Sequence, residues 1–289
     1  MPSRARRVVV LADGRKPRVA AAANAAVPRI RERAAIAAVD LTEQMDLLRT
    51  KADLAVVFGG DGSVLAAYRR LADPSTPIFG VNPGKRGFLS AWGLEEFFGA
   101  LPAALAGKLR PAVRLALAVE VVRDGVAVAT FRAANDAVLT RGTISRVVHL
   151  QVTAGDAGIA AFAGDGLVVA TPAGSTAHSL SAGGPVVHPD LDAIVLTPLS
   201  PVALGLRPIV LPGSETIEVA VVQNPEETAL TLDGQVFVYL KQGDRVRIRR
   251  SESPLRLFTP PGESFCRRAA EKLGWAAART IPEDTRTLR

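Results

Sequence analysis

Over the first third of the chain, short apolar runs alternate with longer amphipathic or alanine-rich stretches. Runs at Arg7 to Ala12, Asp53 to Phe58 and Pro77 to Val81 predict strands. Stretches from Pro17 to about Ala35, Val64 to Leu71 and Leu94 to Leu105 predict helices, the last with Pro102 out of place inside it. Strand alternating with helix is the pattern of a parallel α/β sheet. From Arg114 onward the period becomes two, because Leu115, Leu117, Val119 and Val121 alternate with smaller or polar residues. Candidate strands at hairpin-like spacing follow at Val126 to Phe131, Arg146 to Thr153, Leu167 to Ala170, Ala193 to Thr197, Thr216 to Val222 and Val236 to Leu240. The predicted architecture is therefore an α/β domain over residues 1–109, followed by a β-rich, sandwich-like domain over 110–289 that closes on a helix from about Glu263 to Trp275.

Composition narrows the setting. The 289 residues, 48% hydrophobic and 22% charged, suit one large or two ordinary globular domains. The single cysteine, Cys266, builds neither a disulfide framework nor a thiolate metal cluster, and points to a reducing, cytoplasmic setting. The most apolar stretch, Ala193 to Leu211, is broken by Pro198, Pro201, Arg207 and Pro208, so no membrane span is expected. The run Val8 to Ala12 stops at Asp13, too short for a secretory h-region, and no targeting signal is expected. A net charge of +7 favours polyanions in general, from nucleic acid to a phosphorylated small molecule. Much of that excess lies near the two ends, and the ten Phe, two Tyr and two Trp are not interleaved with basic residues. Nucleic acid is accordingly not an expected partner.

The candidate chemistry sits in turns. Gly59-Gly60-Asp61-Gly62 follows a buried strand and precedes a helix, the place where backbone amides and a helix N-terminus meet phosphate. A carboxylate there repels a phosphate unless it serves a cation or takes a proton from an attacking hydroxyl, so Asp61 suggests phosphoryl transfer; Asp61 as a simple helix cap is the equal alternative. A second turn, Gly164-Asp165-Gly166, leads through a strand into Gly174-Ser175-Thr176-Ala177-His178 and on to Gly183-Gly184-Pro185. There Gly174, Ser175 and Thr176 are expected to open a helix that receives phosphate or ribose, or else to punctuate the chain. Asn135-Asp136 could bind ribose hydroxyls, but by itself favours a turn. Asp233-Gly234-Gln235 is most economically a hairpin turn with an outward amide. The three histidines lack metal-ligand spacing and paired carboxylates, so no metal cluster and no nucleophile triad are predicted.

Taken in order, Gly59-Gly60-Asp61-Gly62, Asn135-Asp136, Asp165-Gly166, Gly174-Ser175-Thr176-Ala177, Leu180 to Pro185 and Asp233-Gly234-Gln235 resemble the NAD kinase family, as does the loop Asn82 to Leu89. The resemblance spans about residues 8 to 260, and its long Gly174 block is far more specific than the GGDG turn, which lipid kinases of the diacylglycerol type share. It implies a Rossmann-like α/β domain followed by a β-rich NAD-binding domain. The implied reaction is phosphorylation of the 2′-hydroxyl of the adenosine ribose of NAD, giving NADP, with ATP or polyphosphate as donor and Mg²⁺ as the expected cation. Asp61 would be the general base, and Gly59, Gly60 and Gly62 would admit phosphates to backbone amides. The nucleotide contacts implied are Asn135, Asp136, Arg146, Asp165, Thr176, Ala177, His178, Ser181 and Gln235, the last from a neighbouring subunit if the chain forms a homo-oligomer, a dimer or tetramer. His178 stands where the family usually has Tyr, Arg86 where it has Leu, and Val202 where many members have His. A lipid kinase of the diacylglycerol type is the nearest enzymatic rival, against which the Gly174 block weighs, and a non-catalytic nucleotide sensor on the same scaffold is the other, against which the retained Asp61 weighs.

Overall fold

The computed structural model describes residues 6–142, 147–223 and 228–275. Arg146, with the start of the strand expected from it, lies outside the described residues. The chain opens with β1 (Arg7–Ala12), α1 (Pro17–Arg31), β2 (Ala35–Asp40), β3 (Leu54–Phe58), α2 (Asp61–Arg70), β4 (Ile78–Val81) and α3 (Leu94–Leu105). Next come β5 (Ala112–Arg114), β6 (Leu117–Arg123), β7 (Val126–Ala133), β8 (Asp136–Thr140), β9 (Val148–Ala154), β10 (Ala157–Gly164) and β11 (Gly166–Ala170). A 3₁₀ turn (Gly174–Thr176) and α4 (His178–Ser181) then lead to β12 (Ala193–Leu199), β13 (Ile209–Pro212) and β14 (Ile217–Gln223). The last elements are β15 (Thr228–Leu232), β16 (Val236–Leu240), β17 (Arg245–Arg250), β18 (Leu255–Phe258) and α5 (Phe265–Lys272).

The first sheet has the order β2-β1-β3-β4-β18-β5 and is parallel except for β5 at its edge. Helices cover both faces. Ala22, Ala23, Ala26 and Ile30 of α1 and Phe97 and Leu101 of α3 pack on Val8, Val10, Val56 and Phe58, the alanines letting α1 lie close to the strands. Val64, Leu65 and Tyr68 of α2 pack on the other face against Val9, Val57 and Ile78. The helix expected from Pro17 to about Ala35 stops at Arg31, and 35–40 form a strand instead. Ile36 and Val39 supply its β-branched residues, but the surrounding alanines hide the period.

The other two sheets, β10-β9-β14-β17-β6-β7 and β13-β12-β11-β8-β15-β16, are antiparallel and share one core. Leu117, Val119, Leu150, Val219 and Ile248 from one face meet Leu139, Val169, Ile194 and Leu230 from the other, the layered packing of a sandwich. β17 was not expected, because it reads Arg-Val-Arg-Ile-Arg-Arg; its two apolar residues, Val246 and Ile248, are nevertheless the two that the core buries completely.

The last strand leaves the sandwich and returns to the first sheet, where β18 runs parallel to β4. Phe79 stacks on Phe258 at 4.4 Å and meets the edges of Trp92 and Phe97, while the Trp92 indole N–H donates to the Phe258 carbonyl at 2.7 Å. Trp92→Phe keeps the ring and strands that buried carbonyl. It is expected to cost about 1–3 kcal/mol of stability, read as a lower urea midpoint by circular dichroism.

Candidate functional site

In the first sheet, β1 feeds β2 on one side while β3 feeds β4 on the other, so a crevice opens beyond the carboxyl ends of β1 and β3. Asp13, Arg15 and Lys16 leave β1 into it, and Gly60, Gly62 and Ser63 leave β3. The Asp13 carboxylate is buried and accepts from Arg15 Nε at 2.7 Å, with Lys16 Nζ at 3.1 Å. The hydrogen bond from Arg15, helped by Lys16 against the cost of burial, holds its pKa down at about 2. Arg15 also pairs with Glu43 at 2.8 Å. The basic pair at the mouth of this crevice was not among the residues singled out from sequence, where it counted only as part of a charged terminus.

Asp61 is the first residue of α2, with Gly60 as the N-cap, and its side chain does not cap that helix. It turns instead into the loop after β4. Its Oδ1 accepts from Leu89 N at 3.0 Å, Ser90 N at 2.8 Å and Ser90 Oγ at 2.7 Å, and its Oδ2 accepts from Phe88 N at 2.8 Å. Three donors fill Oδ1, whereas Oδ2 with one donor keeps room for another. Gly87 makes this possible: a Cβ there would stand 1.8 Å from Asp61 Oδ1. Arg86, one residue earlier, points outward to an ion pair with Glu96 at 2.7 Å.

The Asp233-Gly234-Gln235 turn joins β15 to β16 as the expected hairpin, with Gln235 exposed, but its aspartate points inward. The Asp233 side chain is fully buried; its Oδ1 accepts from Asn135 N at 2.8 Å and Asp136 N at 3.2 Å, and its Oδ2 from Ala134 N at 3.2 Å and Arg69 at 2.6 Å. The Gln235 amide donates to Gly62 O at 2.9 Å and accepts from Arg69. Asn135 lies in the bend between β7 and β8 and Asp136 opens β8, with the amides of both spent on Asp233.

The Gly174 block is tied down tightly. Asn135 O accepts from Thr171 N at 2.8 Å, and a Cβ on Gly174 would lie 2.0 Å from that same oxygen. Gly174 N already donates to Thr171 Oγ1, Ser175 N to Pro172 O, and Ser175 Oγ joins Pro172 to Val187. Ser179 bonds Thr197 at 2.8 Å. The expected helix opening at Gly174 is thus a 3₁₀ turn broken at Ala177, whose first amides serve the fold and not a ligand.

Two cavities flank this turn. Phe88, Leu89, Ala173 and Thr176 line one; Asn135, Asp136, Ala177, His178 and Phe237 line the other. His178 and Ser181 are exposed on α4. Asp165 stands apart, paired with Arg141 at 2.6 Å at the far end of β11, about 20 Å of strand from Thr171. Val202 is exposed. Gly59, Gly60, Gly62, Asp61, Asn135, Asp136, Thr176, Ala177, His178 and Gln235 are therefore gathered around α2, the Asp233 turn and the Gly174 turn, while Asp165 is not. Among the described residues no group of three or more His, Cys, Asp or Glu is arranged to hold a metal ion.

Residues 9–109 match the model of the ATP-NAD kinase N-terminal domain, and residues 134–259 that of the ATP-NAD kinase C-terminal domain. An NAD kinase of Rhodopirellula baltica is 37% identical over 270 residues, covering 93% of this chain and 87% of that protein. One from Geobacter metallireducens is 41% identical over 224 residues, 78% of this chain and 79% of that protein. Among solved structures, yeast NADH kinase complexed with NADH superposes with a TM-score of 0.86 at 23% identity, over 98% of this chain and 91% of that one. An NAD kinase from Archaeoglobus fulgidus in complex with ATP gives 0.67 at 24% identity, over 96% of this chain and all of that one, 100%. At those identities the two structures speak for the fold.

Asp136 carries a pH signature. Burial, with the charge of Asp233 beside it, raises its pKa to about 7. A carboxyl raised on folding contributes stability that is fully present below its unfolded pKa, near 4, and is lost as pH climbs through 7. Urea unfolding from pH 4 to 8 is expected to show the parent losing stability relative to Asp136→Asn across that window, by on the order of 4 kcal/mol at most, with parallel curves above it.

Proposed function

We infer that this chain, which belongs to the ATP-NAD kinase family, is a kinase that phosphorylates NAD with ATP, and that Asp61 stands at the centre of that chemistry. The phosphate acceptor is the 2′-hydroxyl of the adenosine ribose, and the product is NADP. The observation that carries this reading is the hold on Asp61: a carboxylate fixed by three backbone amides and a hydroxyl, with acceptor room left on Oδ2. In that position Oδ2 takes the hydroxyl proton as the ribose oxygen attacks the γ-phosphorus and the bond to ADP breaks.

The donor's phosphates lie in the crevice of Gly60, Gly62, Ser63, Arg15 and Lys16, where glycine amides and two cations meet negative charge. Polyphosphate would meet the same glycine amides and cations there and is the alternative donor. Mg²⁺ brought by the donor would neutralise charge on the phosphates; Asp13 and Glu43 are the carboxylates lining the crevice, and both would have to give up their pairing with Arg15 to reach it. NAD lies across the Gly174 turn, with Asn135, Asp136, Thr176, Ala177, His178 and Ser181 as its contacts. Asp165 lies at the other end of β11 from that turn, beside Thr140, to which the cavity of Asn135, Asp136 and His178 extends. The assembly is a homo-oligomer, a dimer or tetramer, in which a neighbouring copy's Gln235 would reach the bound nucleotide. The exposed free thiol of Cys266 suits a cytoplasmic setting, and among the described residues no helix is long and apolar enough to cross a membrane.

The test is NADP formation from NAD, ATP and Mg²⁺, followed with an NADP-specific dehydrogenase, for the parent and Asp61→Asn. The parent is expected to turn over and the variant to lose 10²- to 10⁴-fold in kcat, on the order of a lost general base. Parental kcat in Asp61→Asn would remove the base assignment. NAD binding by the parent without transfer would instead support a sensor.

A further inference from the structure

The loop that holds Asp61 is itself held from outside the two family domains. Arg268 of α5 is buried, and it spends its guanidinium on two partners. Nε donates to Glu263 Oε1 at 2.8 Å and Nη2 lies 2.6 Å from Glu263 Oε2, a bidentate pair that fixes the plane of the fork. Nη1 donates to the carbonyl of Gly87. That carbonyl and the amide of Phe88 belong to one peptide unit, and the Phe88 N–H is the donor to Asp61 Oδ2. Because a trans peptide is planar, its C=O and N–H point in opposite directions, so an anchor on the oxygen aims the N–H. The charged donor also polarises the unit and strengthens the bond beyond it.

The hydrogen bonds within the loop do not do this work on that unit. Gly87 N donates to Ser90 O at 3.0 Å and Asn82 Nδ2 to Lys85 O at 2.7 Å, bonds that close the loop but leave the Gly87 carbonyl unanchored. Gly87 has no Cβ to resist rotation of the peptide that follows it. Phe88 also packs toward α5, with its ring 6.1 Å from that of Phe265 and Lys272 Nζ 5.6 Å from its centre. A buried ion pair is weak evidence for stability in itself, so its geometry is the feature to explain.

We propose that Arg268 is a positioning residue for phosphoryl transfer: braced by Glu263, it locks the Gly87-Phe88 peptide so that Asp61 Oδ2 faces the attacking hydroxyl. This rests on the reading of Asp61 as the base. Without Arg268 the peptide rotates and Oδ2 loses its one donor, which leaves the carboxylate anchored through Oδ1 alone and its Oδ2 free to swing. Arg268 and Glu263 also line the cavity beside Thr176, but neither is among the nucleotide contacts assigned above, so the loss falls on kcat more than on KM.

Steady-state kinetics of the full chain with NAD and ATP, with amide exchange by mass spectrometry, tests it on Arg268→Ala, Arg268→Lys and Glu263→Gln. Arg268→Ala is expected to lower kcat by about 10- to 100-fold, the scale of a small misplacement at a reacting group, with both KM values within about threefold. Arg268→Lys, which keeps a charged donor but no fork, is expected to recover part of that, and exchange is expected to rise at 87–90 in the alanine variant. In an Asp61→Asn background, Arg268→Ala is expected to cost nothing more, since the two act through one group. A folded Arg268→Ala with parental kcat, or equal losses with and without Asp61, would overturn the proposal. If Arg268→Ala does not fold, Arg268→Lys and Glu263→Gln decide: lowered kcat at unchanged KM supports it, parental kcat in both overturns it. Parental kcat in Asp61→Asn alone would overturn the base reading, whereas an inactive Asp61→Asn beside a fully active Arg268→Ala would overturn only the role of Arg268.

Discussion

A single buried carboxylate, that of Asp233, sets the relation between the two halves of the site. It accepts from three consecutive backbone amides, 134–136, and from Arg69 of α2, so it binds the helix that begins with Asp61 to the strand that begins with Asp136. The bonds are charge-assisted and excluded from water, the setting in which removal of one partner costs several kcal/mol. Arg132 reinforces the join from β7, donating at the same C-terminal end of α2 to the carbonyls of Arg69 and Leu71 at 2.8 and 2.7 Å. From Asn135 the constraint passes on to the Gly174 turn, which rests on the Asn135 carbonyl so closely that only glycine fits. Three motifs separated in sequence are thus three parts of one joint.

That joint has an electrostatic consequence. Asp233 meets its charge with four donors, and Asp136 beside it meets burial and a negative neighbour, so its carboxyl prefers the neutral form up to about pH 7. Asp61 accepts from four donors on its two oxygens. The site therefore offers an aimed carboxylate and, across the Gly174 turn, a carboxyl that can itself donate a hydrogen bond. Environment, not residue type, separates their roles.

Much of this was legible in the chain, and the parts that were not share a cause. The Gly59-Gly60-Asp61-Gly62 turn, its strand and its helix follow from local period and punctuation, and they stand where local rules put them. Asp233 looked like an ordinary hairpin aspartate because its partners are about a hundred residues away in sequence. The hydroxyls around Gly174 suggested a ligand cradle, but Thr171, Ser175 and Ser179 serve carbonyls, amides and each other. Periodicity failed at β2, masked by alanine, and at β17, masked by arginine, although in both the apolar residues lie where a strand needs them. The partners of Asp61 were invisible for another reason: they are backbone amides, and any sequence has those.

The return of β18 explains how a residue so far along the chain reaches Asp61. The sandwich is inserted between β5 and β18, which pair with each other at the edge of the first sheet, so the chain leaves and re-enters that sheet at neighbouring positions. Parallel pairing of β18 with β4 then directs the chain out at the same end of the sheet from which the loop 82–90 emerges. α5 consequently begins beside that loop, and Arg268 meets Gly87 across 181 residues of sequence. The aromatic cluster of Phe79, Trp92 and Phe258 keeps the two strands in register beneath. A change in that cluster would thus act on the reaction through α5, at a distance from every substrate contact, by loosening the strand that delivers the helix.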